Sequence, residues 1–231
     1  MKKIFSDCAE AVADIEDGAT IMVGGFTARG MPGNLLLALR DKGPRDLTII
    51  CNDASGGWKN PIDVDLLIKA GMVKKVITCY PVFGSPKKVS ALETAAMEGR
   101  TEVELVPQGN LIERIRAGGA GIGAFFTPTG VGTECGQGKE VRVIDGREMM
   151  LEYALKADFA LLKAHLADFY GNLIYRKSSR NYNPVMAMAA KTTIVETENL
   201  VQVGTLDPNE IMTPSILVDR IVHANGKGKS L

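Results

Sequence analysis

Between residues 18 and 119, short apolar runs alternate with amphipathic segments, and glycine marks the end of nearly every amphipathic segment. Thr20–Val23, Leu47–Cys51, Val76–Cys79 and Val103–Val106 read as buried strands. Pro32 opens a helix through Leu35, Leu36 and Leu39 that Gly43 stops. Further helices are expected over Val64–Lys69, Pro86–Glu98 and Leu111–Arg116, ended by Gly71, Gly99 and Gly118-Gly119. Strands and helices in strict alternation imply parallel pairing through right-handed crossovers. The expected fold is therefore α/β: an open, doubly wound, mostly parallel sheet with helices on both faces.

In such sheets ligands bind beyond the carboxyl ends of the strands. Those ends carry Gly24-Gly25, Asn52-Asp53, Tyr80-Pro81 and Pro107-Gln108-Gly109, so one clustered site is expected. At the amino end, Asp7-Cys8-Ala9-Glu10 has capping-box spacing before an apolar stripe of Ala11, Val12 and Ile15. After Gly118 the character changes. A glycine-rich stretch reaches Gly138 with Phe125-Phe126 embedded in it, and hairpin signals follow at Asp145-Gly146 and Gly171-Asn172. Asp158–Lys163 and Thr192–Val195 read as strands flanking a short helix at Pro184–Lys191, so the C-terminal portion is richer in strands and hairpins. No linker or repeat divides residues 1–231, and a single domain with a flexible tail at 225–231 is expected.

Lys+Arg and Asp+Glu balance at 27 each, so no net field steers the chain toward nucleic acid or an anionic membrane. The four cysteines lie far apart, with Cys51 and Cys79 inside apolar runs, and read as reduced thiols. Cys135, in its glycine-rich setting, is the one candidate for a reactive thiol. His165 and His223 form no metal constellation with them, and no metal is expected. The first residues lack the apolar core of a signal peptide, and no apolar run is long enough to span a bilayer. A cytoplasmic setting is the expectation.

The densest candidate for ligand chemistry is the crossover from Asp17 to Pro32, which includes Gly24-Gly25-Phe26-Thr27-Ala28-Arg29-Gly30. Main-chain N–H groups at a helix N-terminus suit an anion. The stretch is not a P-loop: Gly25 and Gly30 have the spacing, but Met31 stands where lysine is required. Nor is there a dinucleotide fingerprint, because Gly121-Ile122-Gly123 continues to Phe126 at the third glycine position.

The same stretch resembles the first signature of the family I coenzyme A transferases, in the subunit called alpha. The resemblance continues through Glu104–Leu111, Arg114–Gly121, Phe126–Thr133, Ala157–Leu161, Gly171–Leu173, Ser179-Arg180-Asn181 and Met186–Lys191, so it covers essentially the whole chain. It is similar to subunits of the 3-oxoacid, acetoacetate/butyrate and 3-oxoadipate type. The resemblance implies CoA transfer between short-chain carboxylic acids by ping-pong covalent catalysis through a glutamyl-CoA thioester. It also implies CoA or acyl-CoA as substrate, no tightly bound cofactor, a beta-subunit partner and an α2β2 assembly. The family nucleophile belongs to a Glu-Asn-Gly motif of the beta chain. Here Glu198-Asn199 is followed by Leu200, and Glu134 and Glu140 read as solvated or paired carboxylates.

By the same resemblance, Gly24, Gly25, Phe26, Thr27, Ala28, Arg29 and Gly30 form the CoA-facing loop, and Asn52 and Asp53 line the acid pocket. Gln108 is the amide that reaches the reacting carboxyl. Each has a plainer reading: Asp53 as a turn cap, Arg29 as an exposed structural arginine, Gln108 as a loop amide bonded to backbone. Trp58–Pro61 and Tyr80–Phe83 are bulkier than several acetoacetate-type members carry and would reshape a pocket they border. A fold-related sugar-phosphate isomerase would need its own acid/base carboxylate and phosphate clamp, which the sequence does not present. A non-catalytic acyl-CoA-binding module is the third alternative.

Overall fold

The computed structural model describes residues 3–27, 29–54, 62–82 and 88–224. In chain order the elements begin with β1 (Ile4–Phe5), α1 (Cys8–Ala11), β2 (Thr20–Val23), α2 (Gly33–Lys42) and β3 (Leu47–Asp53). They continue with α3 (Asp65–Lys69), β4 (Val73–Tyr80), α4 (Ala91–Met97), β5 (Glu102–Leu105) and α5 (Gln108–Gly119). Next come β6 (Ala124–Thr127), β7 (Val141–Ile144), β8 (Arg147–Tyr153), β9 (Ala157–Asp168) and β10 (Leu173–Ile174). The last are α6 (Asn183–Ala189), β11 (Ala190–Val201) and β12 (Arg220–His223).

The main sheet has the order β1-β12-β11-β9-β2-β3-β4-β5, parallel throughout, with β10 added antiparallel to β9. From β2 the chain winds outward to β5; from β9, which returns beside β2, it winds the other way to β12. Reversing direction while keeping crossovers right-handed moves the connecting helices to the opposite face. Side-chain alternation follows the same division. Ile21, Val23, Ile49 and Cys51 face the core formed with α1–α4, while Met22 and Ile50 face the core formed with α5 and α6.

Local chemistry sets the ends. Gly43 at φ 79° closes α2 with its N–H on the Leu39 carbonyl, as expected. The helix expected from Pro86 instead starts at Ala91, because Ser90 and Glu93 form a reciprocal capping box; residues 83–87 lie outside the described residues. At the amino end, Asp7 caps the Glu10 N–H, but the Glu10 carboxylate returns to Ser6 N rather than to Asp7. Asp145 and Gly146, at φ 51° and 74°, make the two-residue hairpin of β7 and β8.

Two elements lie where the sequence pattern marked none. β1 extends the sheet beside β12. The glycine-rich stretch contributes β6 to a separate antiparallel sheet, β6-β8-β7. α5 does end at Gly119, with Ala120 as its cap, but neither Gly118 nor Gly119 takes the left-handed conformation of a glycine cap. They let other chain segments approach. A Cβ at Gly118 would lie 1.9 Å from the Leu155 carbonyl oxygen, and one at Gly119 2.5 Å from Met188 Cβ on α6. The expected tail at 225–231 lies outside the described residues.

Two stability tests follow from these contacts. Gly118→Ala is expected to destabilise the fold by about 1–3 kcal/mol, because the obstructing atom is backbone; urea unfolding measures it. Asp14, beyond α1, forms a two-pronged ion pair with Arg220 of β12, at 2.5 and 2.6 Å, and the guanidinium holds its carboxyl below the usual aspartate range. A depressed folded-state value means its contribution is complete above the unfolded aspartate range and is lost as pH falls through the lowered value. The urea midpoint of Asp14→Asn is therefore expected to fall less steeply than wild type between about pH 5 and 2.

Candidate functional site

The strand ends do converge. Gln108, the first residue of α5, donates from Nε2 to Asn52 Oδ1 at 2.8 Å, and Asn52 Nδ2 donates to Asp53 Oδ1 at 2.8 Å. Asp53 Oδ1 also accepts the Thr27 N–H at 2.9 Å. From β4, the Cys79 thiol donates toward Asn52 Oδ1 at 3.0 Å, and Thr78 Oγ1 donates to the Asn52 carbonyl. One hydrogen-bonded chain thus links the ends of β2, β3 and β4 to the start of α5. Because Asp53 can only accept, the Asn52 amide orientation is fixed, and Gln108 must present its N–H side to Asn52.

The cluster sits beside the point where winding reverses, between the carboxyl ends of β2 and β9. The Gly24–Gly30 loop leaves β2 there and packs against residues 178–183. Asn181 Nδ2 donates to the Arg29 carbonyl, and Asn183 Nδ2 to the Gly30 and Ser179 carbonyls. Asn183 Oδ1 accepts the Lys163 N–H of β9. Both ends of the loop require glycine. A Cβ at Gly24 would lie 2.1 Å from Asn183 Oδ1, and one at Gly30, where φ is 72°, 2.6 Å from the Ser179 carbonyl oxygen.

The anion-binding premise changes location. The amides of Asn34 and Leu35, at the start of α2, already donate to Glu196 Oε2 at 2.7 and 3.2 Å. Glu196 is buried on β11; burial pushes its carboxyl above the ordinary glutamate range, against the opposing pull of Lys163 and those two amides. Within the loop, the Gly24, Phe26, Thr27 and Arg29 amides all have protein acceptors. The α2 terminus is therefore neutralised internally. By contrast, the α5 N-terminus has no side-chain cap, Gln108 and Gly109 are exposed there, and a Cβ at Gly109 would meet only open space. A helix start with free dipole and a side-chain amide beside it suits a developing oxyanion. Starting this helix at Leu111, as the apolar pattern suggests, hides that feature.

Asn52 and Asp53 are buried, Gln108, Thr27 and Arg29 are exposed, and the Phe26 ring is partly exposed at the mouth with Tyr80 and Val82. Ala28, Trp58–Pro61 and Phe83 lie outside the described residues. Glu134 is exposed on a short 3-10 turn and Glu140 pairs with Arg142 on the small sheet. Glu198 is bonded to His165 Nδ1 at 2.8 Å. Burial pushes the Cys79 thiol up to about 11 and Cys8 up to about 12, which keeps both protonated. Nothing local in the sequence singles out Asn183 or Glu196, because the bonds by which they hold the β2–α2 segment go to backbone groups more than a hundred residues away. Asn181 stands out only as part of the family motif.

A likeness along the whole chain accompanies this geometry. The model for the family described as coenzyme A transferase matches residues 5–224. The chain belongs to that family. It is 50% identical over 230 residues to the A-type chain of the 3-oxoadipate CoA-transferase of Pseudomonas putida, covering 100% of this chain and 97% of the relative. It is 46% identical over 232 residues to the A-type chain of the probable succinyl-CoA:3-ketoacid coenzyme A transferase of Bacillus subtilis (strain 168), covering 100% and 94%. Among solved structures it superimposes on the decarboxylase AibA/AibB with a TM-score of 0.79 at 27% identity, over 97% of this chain and 84% of that one. Among the described residues, no helix of this transferase-family chain is long and apolar enough to cross a membrane.

Asp53 gives the sharpest check on the site. Asp53→Asn keeps an Oδ1 acceptor, whereas Asp53→Ala leaves the Thr27 N–H and the Asn52 amide without one. The alanine variant is expected to lose about 1–3 kcal/mol in chemical denaturation and the asparagine variant distinctly less.

Proposed function

We propose that this chain is the alpha subunit of a heteromeric CoA-transferase that moves CoA between short-chain carboxylic acids, one of them a 3-oxoacid. The observation that carries this reading is the division of labour among the polar groups of the site. Gln108 and the uncapped start of α5 offer donors to an oxyanion. The neighbouring described carboxylates, Asp53 and Glu196, are both committed to backbone amides. A site with oxyanion donors but no free nucleophilic carboxylate is half of a covalent-transfer centre.

In this reading a glutamate carboxylate from a beta chain attacks the acyl-CoA thioester carbonyl, forming an acyl–glutamyl anhydride and releasing CoA thiolate. The thiolate attacks the glutamyl carbonyl, giving a glutamyl-CoA thioester and freeing the first acid as carboxylate. A second carboxylate then takes the CoA by the same steps reversed. Gln108 Nε2 swings from Asn52 to the oxyanion at each tetrahedral stage. The Phe26-bearing loop faces CoA, and the chain works in the cytoplasm within an α2β2 assembly. The 3-oxoacid assignment draws support from the names of the two relatives, one a 3-oxoadipate and the other a 3-ketoacid transferase.

The test is reconstitution. The purified chain is expected to be inactive alone and to show ping-pong transfer once combined with its beta partner. In that complex Gln108→Ala is expected to lower kcat by roughly 100- to 1,000-fold. Transfer by the isolated chain, with one of its own glutamates trapped as a thioester, would refute the half-site reading.

A further inference from the structure

Among the described residues, one buried side-chain polar atom has no hydrogen-bond partner: the hydroxyl of Tyr182. The residue is only 4% exposed. A buried O–H without an acceptor is a standing cost to a fold, and where one persists beside a binding site it points to an acceptor that arrives from outside.

Its surroundings belong to the strand-end site. Tyr182 lies between Asn181 and Asn183, the two amides that hold the Arg29 and Gly30 carbonyls. The hydroxyl lies beside the Cys79 thiol and the Gln108 amide, and burial, reinforced by Cys79, pushes its pKa far above the ordinary tyrosine range. It is therefore a neutral donor at any working pH. Neither neighbour gives the O–H an acceptor in hydrogen-bonding geometry, and their own donors face Asn52 Oδ1, at 3.0 Å for Cys79 and 2.8 Å for Gln108. Gln108 is exposed, and its Nε2 bond to Asn52 is the tie that must break for its amide to turn outward. Donation from the hydroxyl to a bound acid requires that this turn open it to the site.

We propose that Tyr182 is a specificity-determining residue whose hydroxyl donates to the 3-oxo oxygen of the bound acid, while Gln108 serves the reacting carboxyl. This rests on the transferase reading above. A second donor next to Gln108 calls for a second oxygen on the substrate, and electrostatics selects its kind. The Asp53 carboxylate raises the pKa of Cys79, the neighbour of Tyr182, so its negative field reaches this spot. That field opposes a second carboxylate and tolerates a neutral carbonyl. A neutral O–H buried away from water discriminates well between a substrate that offers an acceptor and one that leaves it empty.

The experiment uses the complex with the beta partner and the variant Tyr182→Phe, which keeps the ring and removes only the hydroxyl. Acetoacetate and butyrate, equal in chain length and differing in the 3-oxo group, are compared as CoA acceptors, or as competitive inhibitors where one is not turned over. The wild-type preference for acetoacetate over butyrate, as a ratio of kcat/KM or of inhibition constants, is expected to fall about three- to tenfold in the variant. Because the deleted hydroxyl makes no hydrogen bond of normal geometry and only electrostatic contact with Cys79 and Gln108, the Tm of the variant is expected to equal or exceed that of wild type. An unchanged ratio in an active wild-type complex, or a Tm lowered by several degrees, overturns the assignment alone. A wild-type complex that transfers no CoA refutes the transferase reading and this assignment with it.

Discussion

The parallel pairing of Ile21, Met22 and Val23 with Phe159, Ala160 and Leu161 is the contact on which the rest of the structure depends. It joins residues nearly 140 positions apart, so its loop-closure cost is met by burial on both faces of the sheet. All three β2 residues and Ala160 and Leu161 are fully buried. Because the two halves of the chain wind away from this pair in opposite directions, α1–α4 fall on one face and α5 and α6 on the other. The reversal also leaves the β2 loop and the segment before α6 facing each other, and their contact makes the floor of the site.

Carboxylates hold that floor in an unusual division. Asp53 and Glu196 are both buried acids, and both spend their charge on backbone amides of the β2–α2 connection. Each ties a segment with awkward backbone requirements: Thr27 has φ 45°, and the α2 start lacks a side-chain cap of its own. The electrostatic consequence is that the Thr27 amide and the α2 start are already satisfied, while the α5 start has no side-chain cap. In the proposed transfer the oxyanion is therefore assigned to Gln108 rather than to the α2 terminus. The loop's contribution is shape: two obligatory glycines, seated against Asn183 and Ser179, let the chain turn tightly and present Phe26.

The small sheet is fastened to the same helix that carries Gln108. Asn110 Nδ2 donates to Glu152 and to the Thr129 carbonyl, Arg114 bonds the Tyr153 carbonyl, and Lys139 reaches Glu152 at 2.8 Å. Glu152 is buried but has a cation and an amide on it, which is the condition for a buried acid to be tolerated. The small sheet is therefore joined to α5 by directed hydrogen bonds and ion pairs.

The alternation of apolar runs with glycine-stopped helices determined the α/β class, the strand positions within a few residues, and the prediction that Gly24, Asn52, Tyr80 and Gln108 would meet. Those features depend on periodicity and on local backbone freedom, both written in neighbouring residues. The family motifs singled out the Gly24–Gly30 loop and the Gln108 amide as candidates for the site. Tertiary structure alone decided what occupies the N–H groups. Glu196 reaches α2 from 161 residues away, Asn183 reaches Gly30 from 153, and Gly118 serves an approach by Leu155 rather than a left-handed helix cap. A side chain's hydrogen-bond partner is fixed by where the sheet brings strands together, and no local pattern encodes that. For the same reason, the lone hydroxyl of Tyr182 is unremarkable in sequence and becomes informative only once its neighbours are seen to be spoken for.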